Sequence, residues 1–230
     1  MPKDLIITVD GPVAAGKTTT ARLLASRLGY TYIDSGAMYR ALAWKAMQED
    51  IDVSTPTVLL DLLARTEIDF RPGPEGLQVL VNGENVTDAL RLPRTETASS
   101  ILSVHPSVRE EMVRRQQQVG AGGGVVMDGR DIGTVVFPDA PVKFYLTASP
   151  EERGRRRFRE SPQGTGSLEG TLAEMERRDR RDMERAASPL KPAPDAILID
   201  TTSLTAEEVV EEMEGHIYRK LKNPRDFLLA

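Results

Sequence analysis

One short segment near the N-terminus carries the clearest chemistry in this sequence. It fits the pattern G-x-x-x-x-G-K-[ST] without a gap, and it comprises Gly11, Pro12, Val13, Ala14, Ala15, Gly16, Lys17 and Thr18. Glycines let backbone N–H groups turn towards phosphate oxygens, the lysine reaches the β and γ phosphates, and the following hydroxyl can ligate Mg²⁺. We therefore predict a phosphate loop for ATP or GTP with Mg²⁺, extending to Thr19 at the start of the next helix.

A carboxylate at the end of a second apolar segment offers a further metal ligand. Residues 125–127 have the composition of a buried strand, and Asp128 follows them directly. In P-loop proteins an aspartate at such a strand end helps to hold Mg²⁺ or its water. Strands also end in aspartate because it favours turns, so an ion pair with a nearby arginine is the alternative interpretation. We predict Thr18 and Asp128 as the metal-binding pair.

Arginine is concentrated in three places beyond the phosphate loop: at Arg40, at Arg130 and in a long group between residues 153 and 185. A guanidinium is a rigid fork that suits phosphate oxygens, and several together stabilise the charge of a transferring phosphoryl group. The long group also contains many Glu and Asp residues, which pair with arginines on solvated helices. For any single arginine between 153 and 159 the sequence favours this second interpretation.

The elements that must position these residues alternate between strand and helix. Apolar, β-branched segments predict strands at 5–9, 30–33, 125–127, 142–146 and 196–199. Helical patterns follow the phosphate loop and cover 37–47, and capping boxes begin further helices after Ser149 and Thr205. This alternation predicts an α/β fold of the P-loop NTPase type, a five-stranded parallel sheet with helices on both faces.

Two regions interrupt the alternation. Strand-like segments at 68–71 and 77–81, the hairpin signal Asn82-Gly83 and a helix from Pro106 to about 119 predict a small α+β insert. The arginine-rich region is broken by residues 161–166, which predicts two helical arms around a mobile tip. We assign a single domain with its core at about 1–60, 121–150 and 186–222, an insert at 61–120 and a lid at 151–185.

The composition excludes several classes of function. With 30 basic and 35 acidic residues the formal net charge is −5, which argues against a nucleic-acid backbone as the main partner. Cysteine is missing from the sequence, so disulfides and thiolate zinc sites are excluded. We see neither a signal peptide nor an apolar run long enough to span a bilayer, and we expect a soluble cytoplasmic protein.

Taken in order, the motifs resemble the bacterial cytidylate kinase family over about residues 5–218. The stretches that carry the resemblance are 10–12, 34–40, 82–88, 128–140, 147–153 and 188–192. The resemblance implies a three-part kinase, in which the insert binds a nucleoside monophosphate and the lid brings arginines to ATP. Its activity would be ATP-dependent, Mg²⁺-assisted phosphorylation of CMP and dCMP by direct in-line transfer.

The resemblance also implies roles for individual residues. The substrate contacts are Ser35, Tyr39, Arg40, Ser100, Arg109, Arg130, Asp131, Arg178, Asp182 and Arg185. The catalytic set is Lys17, Arg130, Arg153, Arg157 and Arg185. Ser100, Arg109 and Asp131 are assigned to the cytosine ring, with Ser99 as an alternative to Ser100. A carboxylate suits the N4 amino group of cytosine, whereas uracil has an acceptor at that position.

Two other functions stay open at this level. A P-loop kinase for UMP, dTMP, shikimate or dephospho-CoA shares the phosphate loop, although the hairpin insert and residues 128–139 argue against it. A nucleotide-dependent switch would be a different class, but the sequence lacks the Asn-Lys-x-Asp motif of guanine specificity. We expect small-molecule partners only, with neither nucleic acid nor membrane, and a monomer, since the three parts close within one chain.

Overall fold

The computed structural model describes residues 2–73, 76–160 and 167–222 of the chain. The predicted lid tip at 161–166 and the tail from 223 onward lie outside the described residues. Two compact units are formed, one from Met1–Ile33 with Gln117–Ala230 (the first unit) and one from Asp34–Gln116 (the second unit). The division into core, insert and lid remains a prediction.

The elements follow one another in an α/β order. They are β1 (Ile6–Asp10), α1 (Lys17–Leu28), β2 (Thr31–Asp34), α2 (Ser35–Gln48), α3 (Pro56–Ala64), β3 (Ile68–Gly73), β4 (Gly76–Val81), β5 (Glu84–Asn85), α4 (Pro93–Leu102), α5 (Pro106–Gly120), β6 (Val125–Gly129), β7 (Val142–Thr147), α6 (Pro150–Glu160), α7 (Leu168–Glu184), β8 (Ile197–Asp200) and α8 (Ala206–Lys222). A 3-10 turn (Ala89–Arg91) precedes α4, and a π-helical turn (Ile132–Val136) follows β6. Among the described residues, none of these helices has the length and apolar character needed to cross a bilayer.

The main sheet of the described chain has five strands in the order β2-β6-β1-β7-β8. Strand β1 lies at its centre and pairs in parallel with β6 and β7, and β7 pairs in parallel with β8. The register sets Val9 opposite Asp128, so the carboxyl ends of β1 and β6 lie side by side. The predicted α/β fold with a parallel sheet is confirmed, and its carboxyl edge brings together strand ends that are far apart in sequence.

An apolar core holds the first unit together. Ile7 and Val9 of β1 are fully buried, and Leu24 of α1 and Met213 of α8 belong to the same cluster. Helix α8 begins at the predicted capping box, where Thr205 N donates to Glu208 Oε2 (2.8 Å) and Glu208 N donates back to Thr205 Oγ1 (3.2 Å). These bonds satisfy N–H groups that the first helical turn leaves without a backbone partner.

In its described residues, the second unit contains the predicted hairpin and helices α2, α3, α4 and α5. Strands β3, β4 and β5 form an antiparallel sheet, and Asn82 and Gly83 take positive φ angles of 50° and 84° in the tight turn. Helix α5 confirms the predicted helix from Pro106. Helices α3 and α4 were missed, although each begins with a proline in its first turn, where proline costs no backbone hydrogen bond.

Candidate active site

The phosphate loop connects the buried end of β1 to the first turn of α1. Gly11 has a φ of 148°, and a Cβ built there would lie 2.1 Å from the Leu146 carbonyl oxygen, so only glycine fits this approach. Gly16 has a φ of 88° and precedes α1 without a side-chain cap. The N–H groups and positive dipole end of α1 are therefore presented at the loop, as phosphate binding requires.

Lys17 is buried at the start of α1, and its Nζ donates to the Pro12 carbonyl oxygen over 2.6 Å. Burial lowers the pKa of Lys17 to about 7, and the positive charge of Arg130 acts in the same direction. Nearby carboxylates, with Asp128 foremost, act against this shift. The negative charge of a bound polyphosphate would raise the pKa of Lys17 and so favour its ammonium form.

The two residues predicted to bind Mg²⁺, Thr18 and Asp128, contact each other, and their role as metal ligands stays a prediction. Thr18 Oγ1 donates to Asp128 Oδ2 over 2.9 Å, and the Tyr32 hydroxyl donates to Asp128 Oδ1 over 3.0 Å. A hydroxyl and a carboxylate at a phosphate loop are hard oxygen ligands, and they fit a Mg²⁺ ion that completes its shell with phosphate and water. Within the described ranges, groups of three or more His, Cys, Asp or Glu suited to a metal are absent.

Asp10 is a buried carboxylate at the end of β1 that sequence reasoning missed. Its two oxygens accept the N–H groups of Ile132 (2.9 Å) and Gly133 (2.7 Å), 122 and 123 residues away. Burial raises the pKa of Asp10 to about 7, although these two hydrogen bonds oppose the shift. Asp10 thereby anchors the π-helical turn that directly follows Arg130 and Asp131.

Two arginines and two aspartates form a largely buried network, here called the arginine–aspartate network: Arg130, Asp131, Asp182 and Arg185. Arg130 Nε donates to Asp182 Oδ2 over 3.0 Å, and Arg185 lies 3.6 Å from both Asp131 and Asp182. Burial favours the protonated form of Asp182, but the positive charges of Arg130, Arg185 and Arg178 outweigh it and lower the pKa. Arg130 and Asp131 directly follow β6, Asp182 lies on α7 and Arg185 directly follows α7. Together these side chains offer forked donors beside carboxylates.

Helices α6 and α7 bring further charges to the phosphate loop. Arg153 Nη1 donates to the Val13 carbonyl oxygen (3.0 Å) and to Asp179, while Val13 N donates to Asp179 Oδ1 (3.1 Å). Arg156 donates to Thr201, whose hydroxyl donates to the Ala15 carbonyl oxygen over 3.1 Å.

Arg157 and Arg155 show the helix-surface pairing that the sequence also allowed. Arg157 lies 3.5 Å from Glu160, and Arg155 lies 3.4 Å from Glu152, both within α6. A role for Arg157 at the ATP phosphates remains a prediction.

In the second unit, the first half of α2 holds three of the predicted substrate residues: Ser35, Tyr39 and Arg40. Ser35 is buried in the first turn, and Asp34 caps the helix by accepting the Ala37 N–H over 2.9 Å. Arg40 folds back along the helix, and its Nη2 lies 2.5 Å from Asp34 Oδ2. A Cβ at Gly36 would lie 2.9 Å from Arg40 Nη1, so glycine leaves room for this guanidinium.

The residues assigned to cytosine in the second unit lie on α4 and α5. Ser100 and Arg109 are both buried, and Arg109 Nη1 donates to the Ser103 carbonyl oxygen over 3.2 Å. The Arg109 guanidinium carbon is 5.4 Å from the ring centre of Tyr39, a cation–π distance that joins α5 to α2. The Ser99 hydroxyl donates to the Glu96 carbonyl of its own helix over 2.9 Å, as is common for a serine inside a helix.

Comparison with known proteins decides the family. The model of the family described as cytidylate kinase matches residues 7–219. The chain is 54% identical to a cytidylate kinase of Geobacillus thermodenitrificans over 211 residues, which are 91% of this chain and 94% of that protein. It is 49% identical to the cytidylate kinase of Bacillus subtilis over 222 residues, 96% of this chain and 99% of that protein.

The chain belongs to the cytidylate kinase family. The resemblance drawn from the sequence motifs is therefore confirmed. For a cytidylate kinase, the first unit combines a phosphate loop, an oxygen pair suited to Mg²⁺ and an arginine–aspartate network. The first unit also holds Arg178 on α7, and the second unit separately holds Ser35, Tyr39, Arg40, Ser100 and Arg109. Their individual roles stay predictions.

The sequence missed residues that join distant segments of the chain within the first unit of this cytidylate kinase. They are Asp10, Tyr32, Arg156 and Asp179, which contact partners between 45 and 166 residues away. A usable signal existed for Asp10, because it ends a predicted strand as Asp128 does, and parallel strands share a carboxyl edge. Asp179 precedes Asp182 by one helical turn, so it shares a helix face with a residue that was assigned.

Proposed function

We propose that the chain transfers the γ-phosphoryl group of ATP to CMP and dCMP, giving ADP and the corresponding diphosphate. The observation that carries this proposal is found within the first unit. There a phosphate loop for the donor is accompanied by an arginine–aspartate network with the forked donors that a second phosphate requires. Membership of the cytidylate kinase family supports the choice of cytidine nucleotides.

On the donor side, we assign the polyphosphate to residues 11–19. Backbone N–H groups of the loop and of the first turn of α1 would bind its oxygens, and Lys17 would exchange the Pro12 carbonyl for a phosphate oxygen. Thr18 and Asp128 would hold Mg²⁺, which when bound offsets phosphate charge and orients the donor. Arg153, which already contacts the loop at Val13, would add positive charge near the transferring group.

On the acceptor side, Arg130 and Arg185 would hold the CMP phosphate whose oxygen is the nucleophile. A phosphate monoester is largely ionised near neutral pH, so transfer needs positioning and charge stabilisation rather than a strong general base. Asp182 would accept a ribose hydroxyl, and Arg178 and Arg40 would add contacts to the phosphate. Ser35 and Tyr39 complete the proposed acceptor contacts.

Base selection is assigned to three buried residues, Ser100, Arg109 and Asp131. The Asp131 carboxylate accepts from an amino group and repels the carbonyl oxygen that uracil presents at the same ring position. We expect UMP to be a poor acceptor for this reason. We also propose a cytoplasmic enzyme, where nucleotide substrates are available, and a monomer that binds both substrates within one chain.

An acceptor panel tests the proposal. ADP release is measured with Mg·ATP and, in parallel, CMP, dCMP, UMP, AMP, GMP, dTMP and shikimate. We expect fast turnover with CMP and dCMP and much slower turnover with UMP. Preference for another acceptor would overturn the base contacts, and ADP release that needs no acceptor would favour a nucleotide-dependent switch.

A further inference from the structure

Asp179 is a buried carboxylate near the middle of α7 that the proposed function does not use. Burial of a charged side chain raises the free energy of the folded state unless the charge is paired and hydrogen-bonded. The partners of Asp179 therefore indicate its role. Those partners are the phosphate loop on one side and an arginine of α6 on the other.

The three groups form a closed set of contacts. Asp179 accepts the Val13 N–H through Oδ1 (3.1 Å) and pairs with Arg153 through Oδ2. Arg153 completes the set by donating to the Val13 carbonyl oxygen over 3.0 Å. Both polar groups of one loop residue are thus fixed by a charged pair from two different helices.

The helix segment that carries Arg153 packs closely on α7. Its neighbour Gly154 packs so closely on α7 that a Cβ there would lie 2.4 Å from Leu172 Cδ2. The arginine side chain is only 12% exposed. A guanidinium fixed in this way loses little conformational freedom when a ligand meets it, which is the condition for effective charge stabilisation in a transition state.

Asp179 also interacts electrostatically with charged groups at the phosphate loop. Asp179 is among the carboxylates that oppose the lowered pKa of Lys17. It also acts with Arg153, Arg130 and Asp10 on the pKa of Tyr145, which burial raises in the neighbouring strand β7.

We propose that Asp179 is a positioning residue, which directs the Arg153 guanidinium towards the ATP phosphates. This inference rests on the proposed function. Asp179 itself does not touch the reacting atoms, and its effect on transfer passes through Arg153. Two rival roles make different predictions: a placeholder that the ATP phosphates displace, and a contact that only supports the fold.

Asp179→Asn isolates the charge. The amide oxygen can still accept the Val13 N–H, but the amide NH₂ would oppose the Arg153 guanidinium, donor against donor. We expect kcat/KM for ATP to fall by about 10- to 100-fold, the loss expected for one charged hydrogen bond, with little change in KM for CMP. Glu176→Gln, on an exposed position of the same helix, is the matched control and should retain wild-type kinetics.

A double-mutant cycle separates positioning from support of the fold. If Asp179 acts through Arg153, then Asp179→Asn adds no further loss of kcat in an Arg153→Ala background. If the two substitutions lower kcat by factors that multiply, the proposal is overturned. It is also overturned if the loss in Asp179→Asn disappears when this variant and the wild-type protein are assayed well below their unfolding temperatures. Tighter equilibrium binding of ATP to Asp179→Asn, measured by calorimetry, would also overturn it and favour the placeholder.

Asp179→Glu serves as a second test of the positioning role if Asp179→Asn does not fold. This variant retains the carboxylate, and we expect it to recover most of the turnover, with any remaining defect absent in the Arg153→Ala background. A defect that persists there would contradict positioning. The wild-type acceptor panel is read first, so failure of CMP phosphorylation itself is distinguished from failure of the role of Asp179.

Discussion

Arg130 Nε donates a hydrogen bond to Asp182 Oδ2 over 3.0 Å, and this contact joins the end of strand β6 to helix α7 across 52 residues of sequence. Arg185 lies 3.6 Å from the other oxygen of Asp182. These two arginines, with Arg178, lower the pKa of Asp182 against the effect of burial. The aspartate therefore stays ionised near neutral pH and holds Arg130 in a fixed orientation.

Arg130→Ala should lower kcat/KM for CMP by about 100- to 1,000-fold, because a fixed donor to the transferring phosphate is lost in the transition state. Binding of ATP, measured by calorimetry without CMP, should change little. Arg180→Ala, at an exposed position on α7, is the control. Unchanged turnover of the Arg130 variant at saturating CMP would contradict the assignment.

Asp128→Asn should raise the Mg²⁺ concentration that gives half-maximal activity. The carboxylate that accepts from Thr18 becomes a neutral amide, and hard cations prefer charged oxygen ligands. Activity is titrated against free Mg²⁺ at constant ATP, with Thr18→Ser as the control that keeps the hydroxyl. If Asp128→Asn loses the same fraction of activity at every Mg²⁺ concentration, the carboxylate is not a metal ligand.

ATP binding should take up a proton at pH 8. Burial and Arg130 lower the pKa of Lys17 to about 7, so the lysine is largely neutral at pH 8 without ATP. Polyphosphate charge raises this pKa, and affinity for ATP should therefore fall as pH rises above 7. Calorimetry in two buffers of different protonation enthalpy measures the uptake. The Lys17→Arg variant stays charged at this pH, so it should lack the proton uptake that Lys17 contributes on ATP binding. Equal proton uptake by the wild-type protein and this variant would contradict this explanation.

Asp10→Asn should weaken the dependence of stability on pH. Burial raises the pKa of Asp10 from its usual 3.8 to about 7, so the folded chain binds more protons than the unfolded chain between these values. The free energy of unfolding therefore falls as pH rises through this window, by at most about 1.4 kcal/mol per pH unit from this group. Urea unfolding at pH 5 and pH 7 compares the two proteins. If the free energy of unfolding changes between pH 5 and pH 7 by the same amount in the wild-type protein and in Asp10→Asn, Asp10 does not titrate in this window.

The sequence predicted the features that depend on local pattern. Strand β6, the capping box at Thr205 and the hairpin turn at Asn82 all depend on residues within a few positions of one another. The phosphate loop was predicted for the same reason, since its chemistry is contained in consecutive residues. The Thr18–Asp128 contact could also be predicted from the sequence, because the carboxyl ends of parallel strands lie at the same edge of the sheet.

The sequence did not predict contacts that depend on how distant elements meet. Arg153 and Arg157 are one helical turn apart on α6, yet Arg153 contacts Val13 and Asp179 while Arg157 pairs with Glu160. Composition cannot separate them, because both lie in one helix rich in acidic and basic residues. The contact of Arg153 with the phosphate loop depends on how α6 packs against the rest of the fold, which composition does not show.

Direct transfer from ATP to CMP is tested by following the γ phosphate itself. The protein is incubated with Mg·ATP carrying a labelled γ phosphate and with unlabelled CMP, and the nucleotides are separated by ion exchange. We expect the label to appear in CDP, in step with ADP, and not on the protein. Label released as inorganic phosphate, or retained on the protein, would contradict direct transfer from ATP to CMP.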